Sequence, residues 1–316
     1  MVPEVNILGS SSAVPTRERH PSAQIVRLNG LKIMIDCGEG TQSQLLKYGI
    51  RQTGIDYICI SHLHGDHYFG LIGLISTMSL MGRQQDLHII GPPELKTILD
   101  LQILHGGMSL KFQLLFYPTH PNEFKKIIET PHFELSSFPL KHRIHCTGFL
   151  LKEGPKERHL DIDKMKQYNV PVNQYKIIKS GADFITTDGI TIKNHELTNE
   201  PDPSHSYAYC SDTIFDPEIV EYIKNADLLY HESTYLKNME DRAIQYFHST
   251  AEQAARIALM ANVGKLIIGH FSSRYENLQP LLDEAREVFP NSELAIEGEK
   301  FSIGTEVETL ENSKIS

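Results

Sequence analysis

Short apolar runs alternate with helix-length segments along most of the chain. Leu31-Lys32-Ile33-Met34-Ile35 reads as a strand, and Thr41 to Tyr48 as a short helix closed by Gly49. Ile55 to Ile60 is a second apolar strand, followed by a helix over Leu71 to Leu80. Pro92-Pro93 opens another helix, because proline is tolerated in a first turn, and Phe112 to Tyr117 is a strand. The alternation resumes in the C-terminal part. Ser206 to Cys210 reads as a strand, Asp216-Pro217 caps a helix running through Ile223, and Asp227 to Tyr230 is the next strand. Thr250 and Gln253 have capping-box spacing for a helix over Ala251 to Ala261. Lys265 to Gly269 is a strand, Leu278 to Val288 a helix, and two short strands finish the chain. This alternation predicts an α/β fold. Between the two parts, Glu153 to Ser204 is polar, charged and punctuated by Gly154, Pro155, Pro171, Gly181, Gly189, Pro201 and Pro203. That stretch reads as an insertion projecting from the core.

A chain of 316 residues, 40% of them apolar, is long enough for one large α/β domain or two smaller ones. No apolar run approaches the ~20 residues of a membrane span. The start, Met1-Val2-Pro3-Glu4-Val5-Asn6, has no basic stretch followed by an apolar core, so the expected location is cytoplasmic. Cys37, Cys59, Cys146 and Cys210 are far apart and read as reduced thiols, most of them buried beside apolar strands. The net charge of −10 argues against a nucleic-acid partner when taken alone. Its distribution qualifies this, since Lys152 to Lys179 holds seven basic and four acidic residues. A weakly basic arm and a solvated surface segment explain that excess about equally well.

Chemistry concentrates in Ser61-His62-Leu63-His64-Gly65-Asp66-His67, three imidazoles and one carboxylate in seven residues after an apolar strand. These are ligands for borderline divalent metals, zinc above all. Four such groups are too many for one metal that must also hold water and substrate, so the spacing suggests two metals side by side. Further candidates also follow predicted strands: His142 after Phe138 to Leu140, Asp212 after Cys210, and His270 after Ile268. Ligands collect at such strand ends in open α/β sheets. A lone histidine is more often a surface or core residue, and that reading is applied to His20, His88, His105, His120, His132, His159, His195 and His205.

His62-Leu63-His64-Gly65-Asp66-His67 is the HxHxDH signature of the metallo-β-lactamase superfamily, and its wider wording resembles the tRNase Z (RNase Z) family. The resemblance runs in order along essentially the whole chain. It includes Leu8 to Thr16, Asp36-Cys37-Gly38-Glu39-Gly40-Thr41, Leu140-Lys141-His142 with Gly148-Phe149, Tyr209 to Thr213, and Gly269 to Tyr275. Two elements distinguish this family from other members of the superfamily. His231-Glu232-Ser233-Thr234 is similar to its HEAT element, with Ser233 where alanine is usual, and His248-Ser249-Thr250 to its HST element. The insertion keeps Ile177-Lys179-Gly181 but lacks the family's proline-glycine-proline turn.

The resemblance implies a single metallo-β-lactamase-like domain over residues 1–316, a four-layer αββα sandwich with residues 153–204 as a flexible tRNA-binding arm, or exosite. It implies two Zn2+ per subunit. His62, His64 and His142 would hold one, Asp66, His67 and His270 the other, and Asp212 would bridge. His145 also lies near a strand end, and the motif spacing to Gly148 favours His142. Asp36 would orient a ligand histidine. A metal-bridging hydroxide, assisted by Asp66, would cut the 3′ trailer from precursor tRNA, leaving a 3′-hydroxyl on the tRNA and a 5′-phosphate on the trailer. His248 would protonate the leaving oxygen and Glu232 would orient it, unless His231-Glu232 is only a structural turn. Ser272 and Arg274 are candidate phosphate contacts. The family also implies a homodimer. The alternatives are another hydrolase of the superfamily, such as a phosphodiesterase or an arylsulfatase-like enzyme, and a non-catalytic RNA-binding relative.

Overall fold

The computed structural model describes residues 3–304, so Met1 and Val2 of the N-terminal stretch lie outside it. It divides into two compact units. The larger contains two seven-stranded sheets. Its strands are β1 (Glu4–Gly9), β2 (Ala23–Leu28), β3 (Leu31–Cys37), β4 (Tyr57–Cys59), β5 (Leu87–Gly91), β6 (Leu114–Pro118) and β7 (Lys125–Thr130). They continue with β8 (Phe133–Pro139), β9 (Thr147–Glu153), β10 (Ser206–Cys210), β11 (Leu228–Glu232), β12 (Lys265–Gly269), β13 (Ser292–Leu294) and β14 (Lys300–Ser302). One sheet has the order β14-β1-β2-β3-β4-β5-β6 and the other β13-β12-β11-β10-β9-β8-β7. Strands β3 to β6 run parallel, as do β10 to β13, while β1-β2, β2-β3 and β9-β10 are antiparallel.

Three apolar clusters make the layers. Val5, Ile7, Ile33, Phe133, Phe149, Tyr207 and Tyr230 fill the space between the sheets. Leu45, Leu71, Leu74, Ile75, Met78, Leu95 and Leu99 cover the outer face of the first sheet from the helices Thr41–Lys47, Leu71–Leu80 and Pro93–His105. Ala251, Ala254, Ala255, Ala258, Leu281 and Ala285 cover the second from Ala251–Met260 and Gln279–Val288. The result is the four-layer αββα sandwich. No helix among the described residues is long and apolar enough to cross a membrane.

The expected elements are present, with local corrections. The second predicted strand is only Tyr57–Cys59, and the Phe112 strand begins at Leu114. Asp216 accepts from the Glu218 amide and opens a 3-10 turn, Pro217–Ile219, before the short helix Val220–Ile223. The capping box is reciprocal: Thr250 Oγ1 accepts from the Gln253 amide at 3.2 Å, and Gln253 Oε1 from the Thr250 amide at 3.0 Å.

Thr130–His132 and Glu153–Ser204 form the second unit. It has its own small core of Met165, Val170, Ile178, Ile192 and Leu197. Its helix Ile162–Gln167 starts at Asp161, whose side chain accepts from two backbone amides. The basic excess over Lys152 to Lys179 does not extend across it, because Glu153 to Ser204 contains seven basic and nine acidic residues.

Candidate metal centre

The candidate ligands leave the C-terminal ends of parallel strands in both sheets. β4 leads into Ser61–His67, β10 into Asp212, and β12 into His270, while His142 comes from the β8–β9 connection. Their side-chain donors converge in two groups. His62, His64, His142 and Asp212 each present a ligand atom within 4.8 Å of the others, and so do Asp66, His67 and His270. Asp212 faces both groups. Its Oδ2 lies 3.6 Å from His62 Nε2 and 4.0 Å from His142 Nε2, and its Oδ1 lies 3.5 Å from His67 Nε2 and 3.2 Å from His270 Nε2. Ligands about 2.0–2.2 Å from a tetrahedral ion would be spaced in this range.

Hydrogen bonds behind the rings fix which nitrogen faces inward. Asp36 is fully buried and accepts from Ser61 N at 2.8 Å, Ser61 Oγ at 2.9 Å, Tyr209 Oη at 2.7 Å and His67 Nδ1 at 2.8 Å. With its hydroxyl proton committed to Asp36, Ser61 Oγ accepts from His62 Nδ1 at 3.1 Å. His142 Nδ1 donates to the Phe247 carbonyl at 3.0 Å. Thr234 Oγ1 donates to Glu232 Oε2 at 2.8 Å and accepts from His270 Nδ1 at 2.9 Å. In all four rings Nδ1 carries the proton and Nε2 offers a lone pair. The buried Nε2 atoms of His67 and His270 find no hydrogen-bond partner among the described residues. Orphaned buried nitrogens are costly unless they serve a ligand. Five imidazoles and two carboxylates in this arrangement therefore fit metal ions.

The charges agree with this picture. Burial depresses His62 and His142, the latter to about 4, so both remain neutral donors near pH 7. Burial opposes ionisation of Asp66 and Asp212 as well, but the surrounding imidazoles overcome it and hold both below the usual carboxylate range. Burial also opposes charge on His67, yet Asp66, Asp212 and Asp36 push it well upward in the metal-free chain. A cation and a proton thus compete for that nitrogen.

Glu232 and His248 form a separate pair beside the ligands. Glu232 is fully buried and accepts from His248 Nδ1 at 2.9 Å, Thr213 N at 3.1 Å and Thr234 N at 3.0 Å. Burial works against charge on His248, but Glu232 outweighs it and raises the imidazole to about 9. His248 also lies within ligand distance of Asp212 and His270. An imidazolium has no lone pair, so in this charged form it is a proton donor, not a ligand.

Asp66, Asp212, His64, His248 and His270 line a cavity of about 510 Å³, together with Arg143, Glu39, Phe69 and Val14. Neither Ser272 nor Arg274 lines it; the Arg274 guanidinium stacks on Tyr235 and donates to Ser272 Oγ and Met239 Sδ. Arg143 is the guanidinium that does line the cavity. His145 is set apart, with Nε2 3.0 Å from Thr119 Oγ1. Among the described residues, eight non-glycine residues adopt positive φ. Four are asparagines, and the others, Ala13, Asp36, Phe247 and His270, all adjoin this site. Such strain of roughly 1–3 kcal/mol per residue concentrates where geometry is over-determined. Ala13 uses it to donate its amide to Asp66 Oδ2 at 2.8 Å. Sequence reasoning gave no role to Ser61, Tyr209, Thr234, Arg143 or the Phe247 carbonyl.

A family model described as Anti-Pycsar protein Apyc1 matches residues 4–267 and stops short of His270. The ribonuclease Z of Bacteroides thetaiotaomicron is 44% identical over 306 residues, 97% of this chain and 97% of that one. The chain belongs to the ribonuclease Z family. Human tRNase Z, short form, resembles it in structure with a TM-score of 0.70 at 26% identity, covering 96% of this chain and all of that one. A metallo-β-lactamase fold protein from Bacillus subtilis shares the fold, with a TM-score of 0.66 at 18% identity over 95% of this chain and 99% of that one. As a ribonuclease Z family member the chain is an endoribonuclease, a hydrolase with the metallo-β-lactamase fold.

Proposed function

We propose that the protein removes the 3′ trailer from precursor tRNA with two zinc ions per subunit. The observation that carries this reading is the pairing of the two-faced Asp212 cluster with the buried Glu232–His248 couple in one cavity. His62, His64 and His142 would hold one ion, Asp66, His67 and His270 the other, with one Asp212 oxygen toward each. Bound there, zinc lowers the pKa of water to about 7 and neutralises charge on the phosphate.

The chain's own residues do the rest. Asp66 stays ionised, is fixed by the Ala13 amide, and orients the attacking water. Arg143 attracts the phosphodiester to the cavity. His248 donates its Nε2 proton to the leaving 3′-oxygen while Nδ1 remains bonded to Glu232. One P–O bond forms and the P–O3′ bond breaks, giving a tRNA 3′-hydroxyl and a trailer 5′-phosphate. Residues 153–204 serve as the tRNA-binding arm, and the working form is a cytoplasmic homodimer.

The test is a precursor tRNA incubated with and without chelator, with both product ends mapped. Cleavage after the last retained nucleotide, lost with chelator and restored by zinc, is expected. No cleavage, or cleavage away from the acceptor end, overturns the reading.

A further inference from the structure

A second cavity, of about 620 Å³, includes the ligand candidate His142 among its lining residues. His142 Nε2 belongs to the ligand cluster; the ring is buried, the residue borders this cavity, and its Nδ1 is bonded to the carbonyl of Phe247, which lines it too. The next residue, His248, lines the first cavity. The two spaces are therefore linked along the chain by the consecutive residues Phe247, lining the second, and His248, lining the first.

The second cavity is lined about equally by apolar or aromatic surface and by polar or charged surface. Phe138, Tyr222 and Phe124 stack as a ladder from the core to the surface, with ring centroids 5.6 and 5.7 Å apart, and Tyr222 is part of the cavity wall. Ile144 and Phe247 line it while 38% and 37% exposed. Asn122 and His145 supply polar edges. Its one ammonium, Lys141, is already paired with Asp216 and Glu218, both at 2.9 Å. Two carboxylates against one cation repel a phosphate, whereas an uncharged planar base is matched by stacking surfaces and hydrogen-bonding edges.

We propose that this cavity receives the base of the nucleotide whose 3′-oxygen leaves, the last one retained on the product. The assignment rests on the functional reading above, because it takes direction from His248 as donor to that oxygen. Phe247 and His248 are consecutive, so the nucleotide protonated by one is the nucleotide that reaches the other. The trailer then lies in the first cavity, which Asp66 and Phe69 line.

The experiment compares the zinc-loaded protein with its Asn122→Ala/Ile144→Ser variant on two precursor tRNAs, one normal and one abasic at the last retained nucleotide. On the normal precursor the variant loses about fivefold or more in kcat/KM, the scale of one stacked base. On the abasic precursor the two proteins cleave equally. Fluorescence of 2-aminopurine at that position is quenched on binding to metal-loaded His248→Ala protein, and the quench shrinks when Ile144→Ser and Asn122→Ala are added. Equal loss on both precursors, or no loss on the normal one, overturns the assignment while leaving the functional reading intact. Failure of the unmodified protein to cleave either precursor overturns the functional reading and the assignment with it.

Discussion

At the residue scale, the site depends on proton placement as much as on ligand type. Four histidines are held with Nδ1 protonated by Ser61, Asp36, the Phe247 carbonyl and Thr234. His248 is held differently, as a cation raised to about 9 against the pull of burial by its Glu232 partner. A proton donor works below its pKa, so turnover is maintained through neutral pH and falls as pH rises through that value. Glu232→Gln removes the charge that raises His248, and the alkaline fall in kcat/KM moves toward neutral pH. A profile unchanged by this substitution would remove Glu232 from its role. The ligand types were legible in the sequence because HxHxDH spacing is chemically dense. Most of the groups that orient them were not. Phe247 acts through a carbonyl and Ala13 through an amide, and every residue has those.

At the element scale, close backbone approach sets the ligand loop. The Gly70 amide donates to the Cys37 carbonyl at 2.9 Å, and a Cβ on Gly70 would collide with the Gly38 carbonyl oxygen. A Cβ on Gly38 would in turn collide with the Asp66 carbonyl. These contacts bring the helix Gly65–Tyr68, with Asp66 and His67, against the end of β3, where Asp36 waits. Gly70→Ala is therefore expected to lower bound metal while the protein still melts cooperatively; calorimetry with metal analysis on the same sample checks both. Elements with local chemistry were readable in advance. Thr250 and Gln253 announced their helix, and Gly49, with φ of +65°, closes Thr41–Lys47 as expected. The strand expected over Ile55 to Ile60 starts later, because the Ile55 amide bonds back to the Gln52 carbonyl of the 3-10 turn Gln52–Gly54. The hairpin of β7 and β8 gave no clear alternation, since Lys125–Thr130 is largely exposed.

At the scale of the whole molecule, the chain interrupts one α/β unit with another compact unit between β9 and β10. Proline and glycine marked its limits, but its five-residue core was hidden within a polar composition. Deleting residues 155–200 is expected to weaken precursor-tRNA binding at least tenfold while hydrolysis of bis(p-nitrophenyl) phosphate stays within twofold. Parallel loss of both would assign the insertion to folding instead of substrate capture. The same interruption divides the residues of the site. His62, His64, Asp66, His67 and His142 precede it, whereas Asp212, Glu232, His248 and His270 follow it. The group His62, His64, His142 and Asp212 and the group Asp66, His67 and His270 each draw donors from both sides. A chain severed within the insertion would yield two fragments, neither holding all the donors of either of these two groups, and uptake of two metal ions would report their reassociation.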